Sequence, residues 1–103
     1  MKTTAKEELT KVQRVVDGKY NYIDANGKII SDTWFYWIAY FENGLARVQR
    51  EDGLKNFIDR QGKLLSDKWY RYLTNFKDGV ALIERDNGEQ CKIDKNGKIV
   101  VSK

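Results

Sequence analysis

Aromatic rings close to cationic side chains are the grouping in this sequence best suited to chemistry. Trp34, Tyr36, Trp37 and Tyr40 form one cluster, and Trp69, Tyr70 and Tyr72 a second. Arg47, Arg50, Lys68 and Arg71 lie near them along the chain. A Trp or Tyr ring can stack on another ring or sit against a cation, while a neighbouring Arg or Lys holds an anionic group. That chemistry is recognition. The groups that bond-making would need are missing. The chain has no histidine, which removes the commonest general base and the commonest zinc ligand. Ser31, Ser66 and Ser102 have no partner base, and no glycine-rich phosphate loop precedes a helix. The acidic pairs Glu7-Glu8 and Glu51-Asp52 lie near a terminus and a turn, where solvated charge is the default. The sequence therefore points to no enzyme, no catalytic residue, no metal and no cofactor.

The elements that must position the rings repeat. Asp24, Asp59 and Asp94 are 35 residues apart, as are Gly27, Gly62 and Gly97. The run from Asn56 to Trp69 echoes the earlier copy from Asp24 to Trp34, and the segment 94–100 is a truncated third copy. A fixed period of this length marks a repeat architecture in which each unit buries its apolar surface against its neighbours. The units divide as 12–46, 47–81 and 82–103, about two and a half repeats in a single domain 1–103, with 1–11 as an N-terminal extension.

Within each unit, turn chemistry alternates with β-prone runs. Asp17-Gly18, Asp52-Gly53 and Asn87-Gly88 are hairpin signals of type I′, whose two central residues both need positive φ. They predict antiparallel pairing of residues 12–16 with 19–24, 46–51 with 54–59, and 81–85 with 89–94. Asp24, Asp59 and Asp94, each three residues before a glycine, predict type I turns with the glycine in the left-handed position of a bulge. Thirty-five residues apart on separate turns, these aspartates need no metal to explain them. Lys28, Lys63 and Lys98 reopen an extended strand, and a lysine there faces water and discourages edge pairing.

The third part of each unit holds the rings. Trp34, Ile38 and Phe41 match Trp69, Leu73 and Phe76, and the crowding of aromatic residues over 34–41 favours a strand with irregular edges over a helix. In an alternating strand, Trp34, Tyr36, Ile38 and Tyr40 would point one way and Phe35, Trp37, Ala39 and Phe41 the other. Both faces are aromatic. Either one is core and the other an interface, or curvature and the N-terminal segment close the core on both sides. The fold class is thus all-β: antiparallel meander or hairpin repeats in a curved or barrel-like sheet, with eight or nine strands. Ahead of it, Thr4 and Glu7 have the spacing of a capping box, and a short helix over 5–11 competes with a frayed tail.

Composition narrows the partners. The charge of +4 mildly favours an acidic partner, but 19 basic residues are interspersed with 15 acidic ones. A nucleic-acid binder shows a denser basic stripe, so nucleic acid is set aside. The single cysteine, Cys91, occupies the slot of Asn21 and Asn56, excludes an internal disulfide and suits a reducing compartment. No apolar run approaches a membrane span, and the first ten residues are too polar for a signal peptide.

The assembled pattern resembles the bacterial WG-repeat (KWG-type) family. Gly18-Lys19-Tyr20-Asn21-Tyr22-Ile23-Asp24 matches the family's opening, and Phe41-Glu42-Asn43-Gly44-Leu45-Ala46 its close. The naming Trp-Gly pair is replaced by Tyr20-Asn21, Lys55-Asn56 and Gln90-Cys91, and the proline common before the aromatic stretch is missing. The resemblance implies an all-β repeat fold and a non-catalytic binding role; the single cysteine and the polar start of the chain suit a cytoplasm, that of a bacterium or a phage-infected host. Two kinds of partner fit. One is a protein, a second copy included, with a homodimer contact near 34–40 and 69–72. The other is a small anionic, nucleotide-like ligand held by Trp or Tyr with Lys68, Arg71, Arg47 or Arg50, as phage-encoded inhibitors of host defence hold theirs.

Overall fold

The two turn motifs divide the chain into short extended runs, and the computed structural model, which describes residues 8–85 and 87–100, shows how they pair. Nine strands form in sequence among these residues: β1 (Thr10–Gln13), β2 (Tyr20–Ile23), β3 (Trp37–Ile38), β4 (Leu45–Gln49), β5 (Lys55–Asp59), β6 (Tyr72–Leu73), β7 (Val80–Glu84), β8 (Gln90–Asp94) and β9 (Ile99–Val100). All pairing is antiparallel, in three sheets of order β1-β2, β3-β4-β5 and β6-β7-β8-β9. The fold is all-β, and among the described residues there is no helix. Of the expected helix over 5–11, residues 5–7 lie outside the described residues, and Thr10 and Lys11 belong to β1. Pairing with β2 supplies backbone partners that a single isolated helical turn could not.

The aspartate turns are the same object three times. Asp24 Oδ1 accepts hydrogen bonds from the amides of Asn26 and Lys28, at 2.9 and 3.0 Å. Asp59 does this for Gln61 and Lys63, and Asp94 for Asn96 and Lys98. Gly27, Gly62 and Gly97 share a φ of 82°. The hairpin turns differ from the type I′ expectation. Asp17, Asp52 and Asn87 keep ordinary negative φ, because each side-chain oxygen accepts an amide two residues on and fixes an Asx turn. Among the described residues of these turns only the glycines turn left-handed: Gly53 N donates to Arg50 O, and Gly88 N to Arg85 O. The loops are therefore longer than two residues, and the strands are shorter than expected.

The first hairpin is longer again. Six residues, 14–19, separate the paired Gln13 and Tyr20, whereas five, 50–54, separate Gln49 and Lys55. The extra residue slides β1 by one position. Val12 faces Asn21 where Val48 faces Asn56 and Ile83 faces Cys91, so the strand keeps an apolar residue on the correct side. Val15 and Val16, at the loop tip, are left 99% and 84% exposed.

Period-2 alternation gives each sheet two apolar faces, and the sheets pack face to face. Tyr22, with Leu9, Tyr20 and Ile30, packs against Ile38, Ala46, Val48 and Ile58 of the second sheet. The opposite face of that sheet, Leu45, Phe57 and Leu65, packs against Leu73, Ala81, Ile83 and Ile93 of the third. The Phe41 ring lies 4.9 Å from Tyr22, and Phe76 lies 4.9 Å from Phe57, so the two junctions are alike. No sheet closes into a barrel among the described residues; stacking covers the faces that curvature was expected to cover. The sheets straddle the sequence boundaries at 46/47 and 81/82, since the phase of a repeat depends on where counting starts.

Candidate functional site

The ring-bearing segments cross from one sheet to the next, and this decides which rings stay outside. Phe35 exchanges backbone hydrogen bonds with Tyr20 of the first sheet, while Trp37 and Ile38 pair with Gln49 and Val48 of the second. Tyr70 does the same with Lys55, ahead of Tyr72 and Leu73. The expected continuous strand over 34–41 is thus reduced to two residues, because the chain changes sheets at Tyr36. Simple alternation breaks there. Phe35 and Ile38 are buried together, whereas Tyr36, Trp37 and Tyr40 are 56%, 39% and 72% exposed.

Cations lie over most of these rings. The Arg14 guanidinium is 4.5 Å from the Trp34 ring, and that of Arg50 is 4.7 Å from Trp69. Arg47 stands 5.7 Å from Trp37, and Lys11 Nζ stands 4.4 Å from Tyr40 while donating to Ile38 O at 2.9 Å. Such contacts are worth about 0.5–1 kcal/mol each at exposed sites, so they orient side chains more than they stabilise the fold. Carboxylates fix two of the arginines. Arg14 donates twice to Asp17, and its hydrogen bond holds the Asp17 carboxyl down to about 2. Arg50 donates twice to Asp52 and lowers that carboxyl too.

Two matching clefts open beside this array. Lys19, Trp34, Tyr36, Arg50 and Asp52 line one of about 390 Å³ at the first junction. Lys68, Trp69, Tyr70, Arg85 and Asn87 line one of about 560 Å³ at the second. Asn87 replaces Asp52 in the second cleft, so the carboxylate that pins Arg50 has no counterpart at that position. Arg85 reaches Glu89 instead, at 3.4 Å.

Of the residues singled out from sequence, Trp34, Tyr36, Trp37, Tyr40, Trp69, Arg47 and Arg50 contribute to the array. Trp34 and Trp69 are half-buried, and Trp69 also closes the first core. Lys68 and Arg71 are exposed, Lys68 in the second cleft and Arg71 flanking Tyr72. Tyr70 is only 5% exposed: it packs in the second core, with its hydroxyl 3.3 Å from Ser66 Oγ, so it is a structural residue. Tyr72, 49% exposed, lies on the outer face of the third sheet, apart from the array. Sequence reasoning missed Arg14 and Lys11. The extra loop residue displaces both from the 35-residue period: Arg14, not Val15, is the counterpart of Arg50.

No helix among the described residues is long and apolar enough to cross a membrane. No curated protein matches the chain. Two segments, residues 22–54 and 57–88, match the model of the WG containing repeat, and together they cover more than half of the sequence. With the recurring Asp-Gly turns and the twice-made sheet junction, this match makes the chain a member of the WG-repeat family.

Proposed function

We propose that this chain is a non-catalytic binding module that takes a protein partner on its aromatic and cationic array. The observation that carries the reading is the exposure of Tyr36, Trp37 and Tyr40 beside a core already closed by Phe35, Ile38 and Phe41. Folding does not require those three rings outside, and exposed aromatic and arginine side chains are the types enriched at contact centres. A photo-crosslinking amino acid placed at Tyr36 or Tyr40, with Asn26 as the control position, tests this in cells that make the protein. Adducts of one discrete mass from 36 and 40, and none from 26, are expected. No adducts, or the same adducts from all three positions, would end the reading.

The second cleft favours one further reading, a small anionic ligand with a planar ring. Trp69 supplies an aromatic wall whose ring also carries Arg50, and Lys68 and Arg85 supply positive charge, with Asp67 in the lining and Glu89 paired to Arg85. A thermal-shift panel of mono- and dinucleotides tests it. A rise in melting temperature that Arg85→Ala abolishes supports this ligand class, and a flat panel rejects it.

A further inference from the structure

Each internal junction joins two unlike faces. The leading face of one sheet carries an aromatic ring, Tyr22 or Phe57, that receives Phe41 or Phe76 from the side of the next sheet. The trailing face of the next sheet brings Ala46, Val48 and Ile58, or Ala81, Ile83 and Ile93, and a turn glycine. That glycine touches the backbone of the preceding repeat. A Cβ on Gly62 would lie 1.9 Å from the Ile30 carbonyl oxygen, and one on Gly97 would lie 2.7 Å from that of Leu65.

Among the described residues one face of each kind is left over. The leading face of the third sheet presents Val80 where Leu45 stands in the second, and Val100 where Leu65 stands. Around them Tyr72 is 49% and Leu82 45% exposed. Two grooves of about 720 and 460 Å³ run across this face and share Leu82 and Lys92. The trailing face of the first sheet presents Val12 in the place of Val48, and Ile23 in the place of Ile58, both half-buried. Gly27 has the φ of Gly62 and Gly97, but among the described residues a Cβ there would meet nothing within 4 Å.

We propose that these two faces are the halves of a contact between copies of this chain, the third sheet of one receiving the first sheet of another. The contact is heterologous, so chains join head to tail instead of as a two-fold pair. It continues an interface the molecule already makes twice, with the Gly27 turn docking on the Val100 backbone. Lys92 sets its strength. It stands where Tyr22 and Phe57 stand, so this face meets water better than the internal ones and the association is weak and reversible. The inference uses different surfaces from the array around Tyr36 and Tyr40 and does not rest on its role.

Two variants that disable opposite faces provide the test. Gly27→Asn keeps the left-handed turn, since Asn43 adopts a φ of 55° in this chain, but adds atoms where the Val100 backbone would approach. Leu82→Lys charges the other face at an exposed position. Val12→Glu replaces the first variant if the turn does not accept Asn. In sedimentation velocity from about ten micromolar to about a millimolar, the affinity range of weak contacts, the unsubstituted chain should sediment faster as concentration rises. Each variant alone should stay a monomer. An equimolar mixture should give a species of two chains and nothing larger, because each variant keeps the half that the other lacks. A monomeric unsubstituted chain at every concentration, variants that still self-associate, or a mixture that stays monomeric would each overturn the proposal.

Discussion

Gly62 lies against the Ile30 carbonyl so closely that a Cβ at this glycine would sit 1.9 Å from the oxygen. Gly27 has the same φ, and among the described residues a Cβ there would meet nothing within 4 Å. The pair separates two costs that a turn glycine usually confounds. Gly27→Ala should lose about 1 kcal/mol, the strain of a left-handed alanine. Gly62→Ala should lose that and roughly 1–3 kcal/mol more, because backbone must move to relieve the overlap. Urea denaturation of the two variants checks this, and equal losses would mean that the junction yields freely.

Asn56 is buried, and its amide donates to Ser66 O at 2.8 Å and Lys68 O at 3.1 Å while its oxygen accepts from the Phe57 amide at 2.7 Å. Asn56→Leu leaves those groups without partners and should cost about 2–4 kcal/mol. Asn56→Asp restores only the acceptor and should be rescued in part at low pH, where the carboxyl can donate again. Denaturant midpoints at neutral and acid pH separate the two.

Burial, with a smaller contribution from Tyr40, pushes the Tyr22 phenol up to about 12 from an ordinary 10. The folded state therefore holds this proton more tightly than the unfolded one. Stability from this group is complete below pH 10 and is lost as pH climbs toward 12. Tyr22→Phe gives up the hydrogen bond to Ala39 O, at 2.7 Å, and should be about 1 kcal/mol less stable at neutral pH. Between pH 10 and 12 it should lose less further stability than the unsubstituted chain does. Parallel alkaline slopes would contradict the assignment.

Deleting Val16 shortens the first hairpin loop to the length found at 50–54 while leaving Gln13 opposite Tyr20. The residue removed is 84% exposed, so no packing is lost. The deletion should leave stability within about 0.5 kcal/mol of the parent. Far-ultraviolet circular dichroism with a melting curve is sufficient, and a collapse of the first sheet would show that the loop tip has a structural role.

The aspartate turns were legible in the sequence because their cause is local. Asp24, Asp59 and Asp94 meet amides two and four residues on, and the glycines follow at fixed distance. The equivalence of Trp34 with Trp69 was legible for the same reason. What the sequence concealed depends on partners distant along the chain. Tyr70 and Tyr72 differ by two residues and both carry phenols, yet one is core and the other exposed, because the chain passes between sheets there. The slide of β1 was hidden by a period that Asp17 and Asp52 keep while Val12 and Val48 do not. The family was recognisable from the turns even though no repeat carries the Trp-Gly pair.

The middle sheet has a neighbour on each side: Ala46, Val48 and Ile58 face the first sheet, and Leu45 and Phe57 face the third. Either outer sheet can open without exposing both of those faces, but the middle one cannot open without exposing both. Amide hydrogen exchange should therefore be graded along the chain, slowest at Val48 and Ile58 and faster at Val12 and Ile93. Fraying would run inward from both outer sheets, and the last protons to exchange would report the unfolding of the whole stack.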